Sequence, residues 1–264
     1  MKLTVLAIGV LGPGLADWPG TRAVLRGDLD WSTLPTAIPA PGRLPAAERR
    51  RVGTSVKLAL AVAEQLFASG PWDPSQIATV FASSGGDAEN CHALCEALSE
   101  AEPQLSPTRF TNSVHNAPAG YWSIAMQSKA ASSSLCAHDA SFSAGLFEAA
   151  IYAHTEDEPV ALIAYDVPYP EPLASKRPIG CPFGVALLIA PGHETAGLAW
   201  LELDRHCVGT PDPATPRSLE TLRSGVPAAR CLPLLAAVAR GESGEVALEA
   251  VDNLVLTVSV QPCP

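Results

Sequence analysis

Apolar and polar positions along this chain follow two patterns that alternate from one end to the other. Short uninterrupted apolar and β-branched runs predict buried strands, and longer stretches with apolar residues three or four positions apart predict helices. The predicted strands cover residues 3–10, 77–83, 130–137, 159–166, 185–189 and 198–203, with one or two more in 246–260. The predicted helices cover residues 52–69, the stretch from the turn 83–87 to about 99, then 116–125, 141–153 and 232–239. Alternation of this kind is typical of an α/β fold.

The stretch 130–153 carries the most information about a site. Its first part, AASSSLCA, is a small and apolar run that predicts a strand lying deep in a sheet. His138 and Asp139 interrupt the run, and a helical pattern resumes at Ser141. A strand that enters a helix through a tight turn presents one side chain at the helix N-terminus, and here Asp139 takes that place. Asp139 and Ser141 are also residue types that cap helices, so capping alone is the other interpretation of Asp139.

The helix predicted at 116–125 begins beside the most polar spot of its neighbourhood, formed by Ser113, His115 and Asn116. Pro118 is tolerated there because it falls in the first helical turn, where its missing N–H would be unpaired anyway. Gly120 allows close backbone approach.

Several motifs in order along the chain resemble the N-terminal half of the β-ketoacyl synthases of the thiolase-like superfamily. They are Leu44-Pro45 with Arg49-Arg50-Arg51, Ser83-Ser84-Gly85, Ser123-Ile124, the KAAS run 129–132 in place of R-G-P-S, Leu146 with Ala149, and Phe183-Gly184. The resemblance is strongest over residues 1–205 and looser beyond. It implies a single thiolase-like domain over 1–264, with a mixed sheet and helices on both faces.

Aligned without gaps, the resemblance places Asp139 at the position of the catalytic cysteine, and Cys136 lies three residues earlier. A condensing enzyme holds its acyl chain as a thioester on a thiolate whose pKa is lowered by a helix N-terminus. An aspartate is a poor acyl carrier for that reaction. We therefore expect no catalytic residue in this chain.

Ketosynthases complete their site with two histidines from a C-terminal half. The run His206-Cys207-Val208-Gly209-Thr210-Pro211 is similar to the loop that holds one of them, but it follows a predicted strand pair and is also explained as a surface loop. An alternative function is therefore a minimal ketosynthase that uses Cys136 with His206 or His115.

The signature SVHNAxAGYxSIA is similar to that of truncated, chain-length-factor-like subunits in bacterial aryl polyene and xanthomonadin-type pigment pathways. The resemblance implies a non-condensing subunit that pairs with a full-length β-ketoacyl-ACP synthase and shapes the acyl tunnel. The implied interface lies in 112–125 and 131–135, and its expected interface or tunnel residues are Ser113, His115, Asn116, Gly120, Tyr121 and Phe142. For His115 and Asn116, capping of their own helix is the other interpretation.

Composition and charge limit the size of the core and the kinds of partner that this chain can bind. With 264 residues and 47% apolar side chains, the chain can bury one large core. Its formal charge of −10 argues against a nucleic-acid partner. The resemblance also implies that the pair binds an acyl carrier protein. Acyl carrier proteins are acidic like this chain, so their docking needs a local basic patch such as Arg49-Arg50-Arg51. A solvated helix start is the other interpretation of these three arginines.

Other sites are not expected. No G-K-[ST] follows the turn 83–87, so a nucleotide site is not predicted. Cys91, His92 and Cys95 lie close together on a predicted helix, but two further metal ligands are not evident. We expect no cofactor and no metal. Seven irregularly spaced cysteines indicate free thiols, and the absence of a membrane-length apolar run or a signal-peptide pattern predicts a cytoplasmic protein.

Overall fold

The structure, a computed structural model, describes residues 1–192 and 197–263, and only the backbone of Arg205 and His206. Its strands are β1 (Lys2–Leu11), β2 (Ala78–Ala82), β3 (Ser132–Leu135), β4 (Val160–Asp166), β5 (Phe183–Pro191), β6 (Ala199–Val208), β7 (Gly244–Glu249) and β8 (Leu254–Pro262). The predicted strands are all present, and the stretch 246–260 contains two of them.

The five helices predicted from apolar periodicity are all present in the full set of α-helices of the described residues. That set is α1 (Trp18–Arg26), α2 (Ala46–Arg49), α3 (Thr54–Ala68), α4 (Ala88–Ser99), α5 (Pro107–Asn112), α6 (Ala117–Met126), α7 (Ser141–Glu156), α8 (Leu173–Lys176), α9 (Glu220–Gly225) and α10 (Leu232–Arg240). The predicted helices correspond to α3, α4, α6, α7 and α10. Pro118 lies in the first turn of α6, as its missing N–H requires. Among the described residues, no helix combines the length and the apolar character needed to cross a membrane.

The described strands form one eight-stranded mixed sheet in the order β3-β2-β4-β5-β1-β6-β8-β7. β2 pairs in parallel with both β3 and β4, whereas β1 pairs antiparallel with β5 and β6. The central strands are buried on both faces, which explains their continuous apolar runs. The expected mixed sheet with helices on both faces is confirmed.

Each face of the sheet has its own core. On one face, α3 and α6 bury Leu60, Leu66 and Trp122 against the central strands. On the other face, α7 and α10 bury Leu146 and Leu235. The 3-10 segment Pro227–Cys231, from the C-terminal part of the same chain, packs against α7.

Two expectations about the sheet are wrong. The strand predicted at 130–137 spans only Ser132–Leu135 and lies at the edge of the sheet, half-exposed, where small polar serines suit a strand with one open side. The stretch 206–211 does not leave the sheet at once, because β6 continues to Val208 and the backbone of His206 pairs with Leu256. The side chain of His206 lies outside the described residues.

Candidate functional site

The turn between β3 and α7 is the centre of the site. β3 ends at Leu135, a 3-10 turn spans His138–Ala140, and α7 begins at Ser141. His138 has a positive φ of 53°, a left-handed conformation that non-glycine residues seldom adopt. Asp139 thus lies in the strand-to-helix turn, and Cys136 directly follows the strand, as the ungapped alignment places them.

The Asp139 carboxylate is held by two arginines. Its Oδ1 lies 2.9 Å from Nη2 of Arg177, and its Oδ2 lies 3.1 Å from Nη2 of Arg230. Both guanidinium groups are largely buried, so these contacts are stronger than surface ion pairs. The residue that precedes α7, Ala140, makes no side-chain capping bond. The capping interpretation of Asp139 is therefore wrong, because the two arginines engage the carboxylate instead.

The ion pairs continue beyond Asp139 into the C-terminal part of the chain. Arg230, in the 3-10 segment Pro227–Cys231, also pairs with Glu249 at the end of β7. Arg177 in addition contacts the imidazole of His138. Four separate segments therefore converge on the position where the resemblance expects a cysteine. The group found there is a charge-paired carboxylate, which has no thiol or hydroxyl with which to carry an acyl chain.

A cavity of about 590 Å³ opens beside this turn. His138, Asp139 and Glu249 line it together with residues 209–211 and 250–254. The run that resembles a histidine-bearing ketosynthase loop thus does reach the turn, through Gly209, Thr210 and Pro211.

Cys136 and His115 are not arranged as a nucleophile and its base. The thiol of Cys136 donates to the carbonyl oxygen of Ser84 at 2.9 Å. Nε2 of His115 donates to the carbonyl oxygen of Leu135, also at 2.9 Å. Each group is directed at a different backbone carbonyl, so the geometry gives the minimal-ketosynthase alternative no support from this pair.

The expected interface residues divide into two groups. Asn116 precedes α6 without a side-chain capping bond, and His115 binds the end of β3, so the capping interpretation of these two residues is wrong. Ser113 and Asn116 are exposed, as is Gly120, where an added Cβ would meet no atom within 4 Å. These positions are open to a partner. Gly120 is therefore not needed for close packing within its own chain.

Tyr121 and Phe142 belong to the second group, with 8% and 1% of their surface exposed. Tyr121 donates a hydrogen bond to Oδ1 of Asn112 at 2.9 Å, and Phe142 lies in the core beneath α7. Both side chains are therefore buried within their own subunit, unlike the exposed first group.

Asp166 is a buried carboxylate near the site that the sequence pattern did not single out. It binds the 3-10 segment that carries Arg230. Asp166, at the end of β4, accepts bonds from the backbone N–H groups of Ser84 and Ala228 at 2.9 and 2.8 Å, and from the hydroxyls of Ser83 and Ser84. Burial raises its pKa to about 6, although these hydrogen bonds act in the opposite direction. The sequence does contain a signal for this buried carboxylate, because Asp166 is an acidic residue at the end of an otherwise apolar strand.

A second cavity, of about 420 Å³, concentrates positive charge on this acidic protein. Its basic lining residues are Arg50, Arg51, Lys57 and Arg109, with Asp87 and Glu89 as the acids. Arg49 instead donates to the backbone carbonyls of Gly42 and Leu44. Of the expected arginine patch, two members therefore face this cavity and the third stabilises its own loop.

The candidate metal ligands Cys91, His92 and Cys95 all lie on α4, where His92 pairs with Glu96 at 3.2 Å. Within the described ranges, no three His, Cys, Asp or Glu side chains are grouped so that they could hold a metal ion.

A family model described as the N-terminal domain of β-ketoacyl synthases matches residues 28–230, more than half of the chain. The chain belongs to this family. No curated protein sequence matches the chain significantly.

Solved structures show the same fold. One is a ketosynthase, ApeO, in complex with its chain length factor, ApeC, from Xenorhabdus doucetiae, with a TM-score of 0.74, 23% identity, and coverage of 98% of this chain and 99% of that one. The ishigamide ketosynthase/chain length factor matches with a TM-score of 0.74, 14% identity and 100% coverage of both chains. A β-ketoacyl synthase from Burkholderia phymatum matches with a TM-score of 0.55 and 14% identity, covering 90% of this chain but 70% of that one. The thiolase-like fold is thereby confirmed.

Proposed function

We propose that this chain is the non-condensing, chain-length-factor-like subunit of a heterodimeric β-ketoacyl-ACP synthase in polyene or polyketide-type chain elongation. The observation that carries the proposal is the carboxylate of Asp139, which Arg177 and Arg230 hold in the strand-to-helix turn of a β-ketoacyl synthase domain. In the proposal, as in the ungapped alignment, this turn corresponds to the nucleophile position. The ApeO–ApeC and ishigamide structures support it, because they pair a ketosynthase with a chain length factor and match this chain over nearly its whole length.

The open edge of β3 supports a partner on that side of the sheet. Among the strands that the structure describes, β3 pairs only with β2, so its outer backbone groups are available to a further strand. Two helical stripes flank this edge. Gly120, Ser123 and Ile124 are exposed on α6, and Ala144, Phe147 and Ile151 are exposed or half-buried on α7. We define β3 and these two stripes as the edge face.

The edge face has the apolar character that a stable interface needs. Ile124 is 48% exposed and Ile151 is 42% exposed. Beside it, Phe110 and Val114 are 65% and 52% exposed, next to His115. Contiguous exposed apolar residues mark protein interfaces in soluble proteins. In the proposed pair, His115 holds the end of β3 in place, and Phe110 and Val114 contribute to the shape of the acyl tunnel.

Co-expression with a full-length β-ketoacyl synthase from the same organism tests the pairing. We expect a one-to-one heterodimer by size-exclusion chromatography with light scattering, with an interface of more than roughly 2,000 Å² in total. Ile124→Glu should abolish the pair, because it places a charge in the apolar part of the edge face. Leu34→Glu, which changes an exposed leucine of the N-terminal loop, is the matched control and should pair normally.

Two results would contradict the proposal. One is a wild-type chain that stays monomeric in the presence of the synthase. The other is condensation by the chain alone, blocked by alkylation of Cys136, which would favour the minimal ketosynthase.

The cavity lined by Arg50, Arg51, Lys57 and Arg109 is the proposed docking point for the carrier protein that serves the pair. Acyl carrier proteins are acidic, and this cavity is a local positive site on a chain of charge −10. We expect Arg109→Glu to weaken carrier-protein binding to the pair by about tenfold at low salt, with little difference at high salt. Surface plasmon resonance measures this, with Arg217→Glu as an exposed control. Equal affinities for the two variants at low salt would exclude this cavity as the docking point.

We also propose that the pair acts in the cytoplasm. All seven cysteines are free thiols, and Cys91, Cys95, Cys136 and Cys207 are exposed. Exposed thiols persist in a reducing compartment. Fractionation of the native host would test this location.

A further inference from the structure

A third cavity, of about 400 Å³, lies at the C-terminal half of α3, away from the turn that holds Asp139. Most of its lining is apolar, from Pro39, Ala61, Phe67, Ala68, Trp72, Pro74 and Met126. Its charged lining residues are Glu64 and Arg43. A concave, mainly apolar cavity with a few convergent polar groups is the usual form of a small-molecule site.

Glu64 gives this cavity its chemistry. Its Oε1 is buried and has no hydrogen-bond partner among the described residues. Burial raises the pKa of Glu64, and the nearby Arg43 only partly offsets this. A buried carboxylate oxygen without a donor is costly, so the cavity favours an occupant that brings one.

Two aromatic rings line the same space. Phe67 is stacked on Trp122 with ring centroids 5.5 Å apart, which fixes its position. Trp72 lies against Gly70, where an added Cβ would come within 2.2 Å of the indole. Gly70 therefore allows Trp72 to occupy its place. Aromatic faces beside a carboxylate attract organic cations, by the ring quadrupole as well as by charge.

The residues around this cavity carry a net negative charge, which favours a cationic ligand. An adjoining cavity of about 460 Å³ shares Arg43, Pro74 and Met126 with the first and adds Asp73. Over the two cavities, two carboxylates, Glu64 and Asp73, face one guanidinium, Arg43. One positive charge is needed to balance them.

We propose that the cavity formed by Glu64, Phe67, Trp72 and Met126 binds a small organic cation, an alkylammonium or arylalkylammonium group. The ammonium donates to Oε1 of Glu64, and the hydrocarbon part contacts Phe67, Trp72 and Met126. Arg43 is the chain's own competing cation. The lining of this cavity contains no residue of the edge face, although the adjoining cavity extends to Ile124. Binding needs no partner subunit.

Isothermal titration calorimetry of the full chain with benzylammonium tests the proposal. We expect saturable binding with a dissociation constant of about 1 mM or below. The neutral analogue benzyl alcohol should bind at least about tenfold more weakly. Glu64→Gln should weaken benzylammonium binding by about tenfold or more, and Arg43→Ala should strengthen it about threefold by removing the competing charge. Glu102→Gln, an exposed charge-matched control, should bind like the wild type.

The proposal is overturned by any of three results. They are absence of saturable benzylammonium binding to the wild type, equal binding by wild type and Glu64→Gln, or loss of binding in Arg43→Ala. Circular dichroism confirms that Glu64→Gln is folded. The outcome is independent of heterodimer formation, so failure here leaves the proposed pairing untouched.

Discussion

Replacing Asp166 with alanine should lower the free energy of unfolding by about 3–5 kcal/mol. The carboxylate is 2% exposed and accepts bonds from Ser83, Ser84 and Ala228. Alanine would leave these donors buried without an acceptor, and each orphaned group costs free energy. Because Ala228 precedes α10 and Ser84 follows β2, the loss would separate the C-terminal part of the chain from the centre of the sheet.

Urea denaturation followed by circular dichroism at pH 7 measures this effect. Asp166→Asn keeps an acceptor oxygen and should recover part of the lost stability. Asp30→Ala, an exposed aspartate in the N-terminal loop, is the matched control and should change stability by less than about 0.5 kcal/mol. If Asp166→Ala were as stable as this control, the carboxylate would not connect the two parts of the chain.

The difference in unfolding free energy between the wild type and Asp166→Asn should depend on pH. The pKa of Asp166 is raised in the folded protein to about 6, above its ordinary value of 3.8. The folded state therefore binds a proton more tightly than the unfolded state. Relative to Asp166→Asn, the wild type should lose about 3 kcal/mol of stability as the pH rises from about 4 to 6, and little more above that. If the wild type instead became more stable relative to Asp166→Asn over this pH range, the raised pKa of Asp166 would be contradicted.

Asp139→Ala should have the second-largest effect, lowering the free energy of unfolding by about 2–3 kcal/mol. The change removes the acceptor of Arg177 and one of the two acceptors of Arg230, and both arginines are largely buried. Arg230 would keep Glu249. Arg177 would lose its only carboxylate partner among the described residues and would keep its contact with His138.

A double-mutant cycle of Asp139→Ala with Arg177→Ala separates the ion pair from other effects. We expect a coupling free energy of about 1–2 kcal/mol, because the pair is mostly shielded from solvent. Asp139→Asn should be less destabilising than Asp139→Ala. Additive single changes would mean that the side chains of Asp139 and Arg177 do not stabilise each other.

Hydrophobic spacing was sufficient to predict β1, β4, α3 and α7, because their apolar patterns reflect burial against whatever element covers them. It also predicted strand structure in 246–260, but left the number of strands there at one or two. The turn between β3 and α7 was also predictable. The sequence shows this turn as a run of small residues, a two-residue interruption and then a helical pattern. Such a turn depends mainly on residues that are neighbours in sequence. The family resemblance then placed Asp139 within it.

The position of β3 was not predictable in the same way. AASSSLCA has the small, apolar composition of a buried strand, yet strand order is decided by which distant strands pair. Tyr121 and Phe142 illustrate the same difficulty, because helical spacing does not tell whether an apolar residue faces its own core or a partner. The capping prediction for Asp139 failed because its arginine partners come from much later in the chain.

The sequence by itself therefore determined the α/β class, the strands and longer helices, and the strand-to-helix turn that contains Asp139, all of which depend on short-range pattern. Only the tertiary structure decided what that residue does. Arg177 and Arg230 reach Asp139, and Ala228 reaches Asp166, because the chain folds its C-terminal part back over α7. Contacts between residues so far apart in sequence depend on the packing of the whole sheet, and no local pattern encodes them.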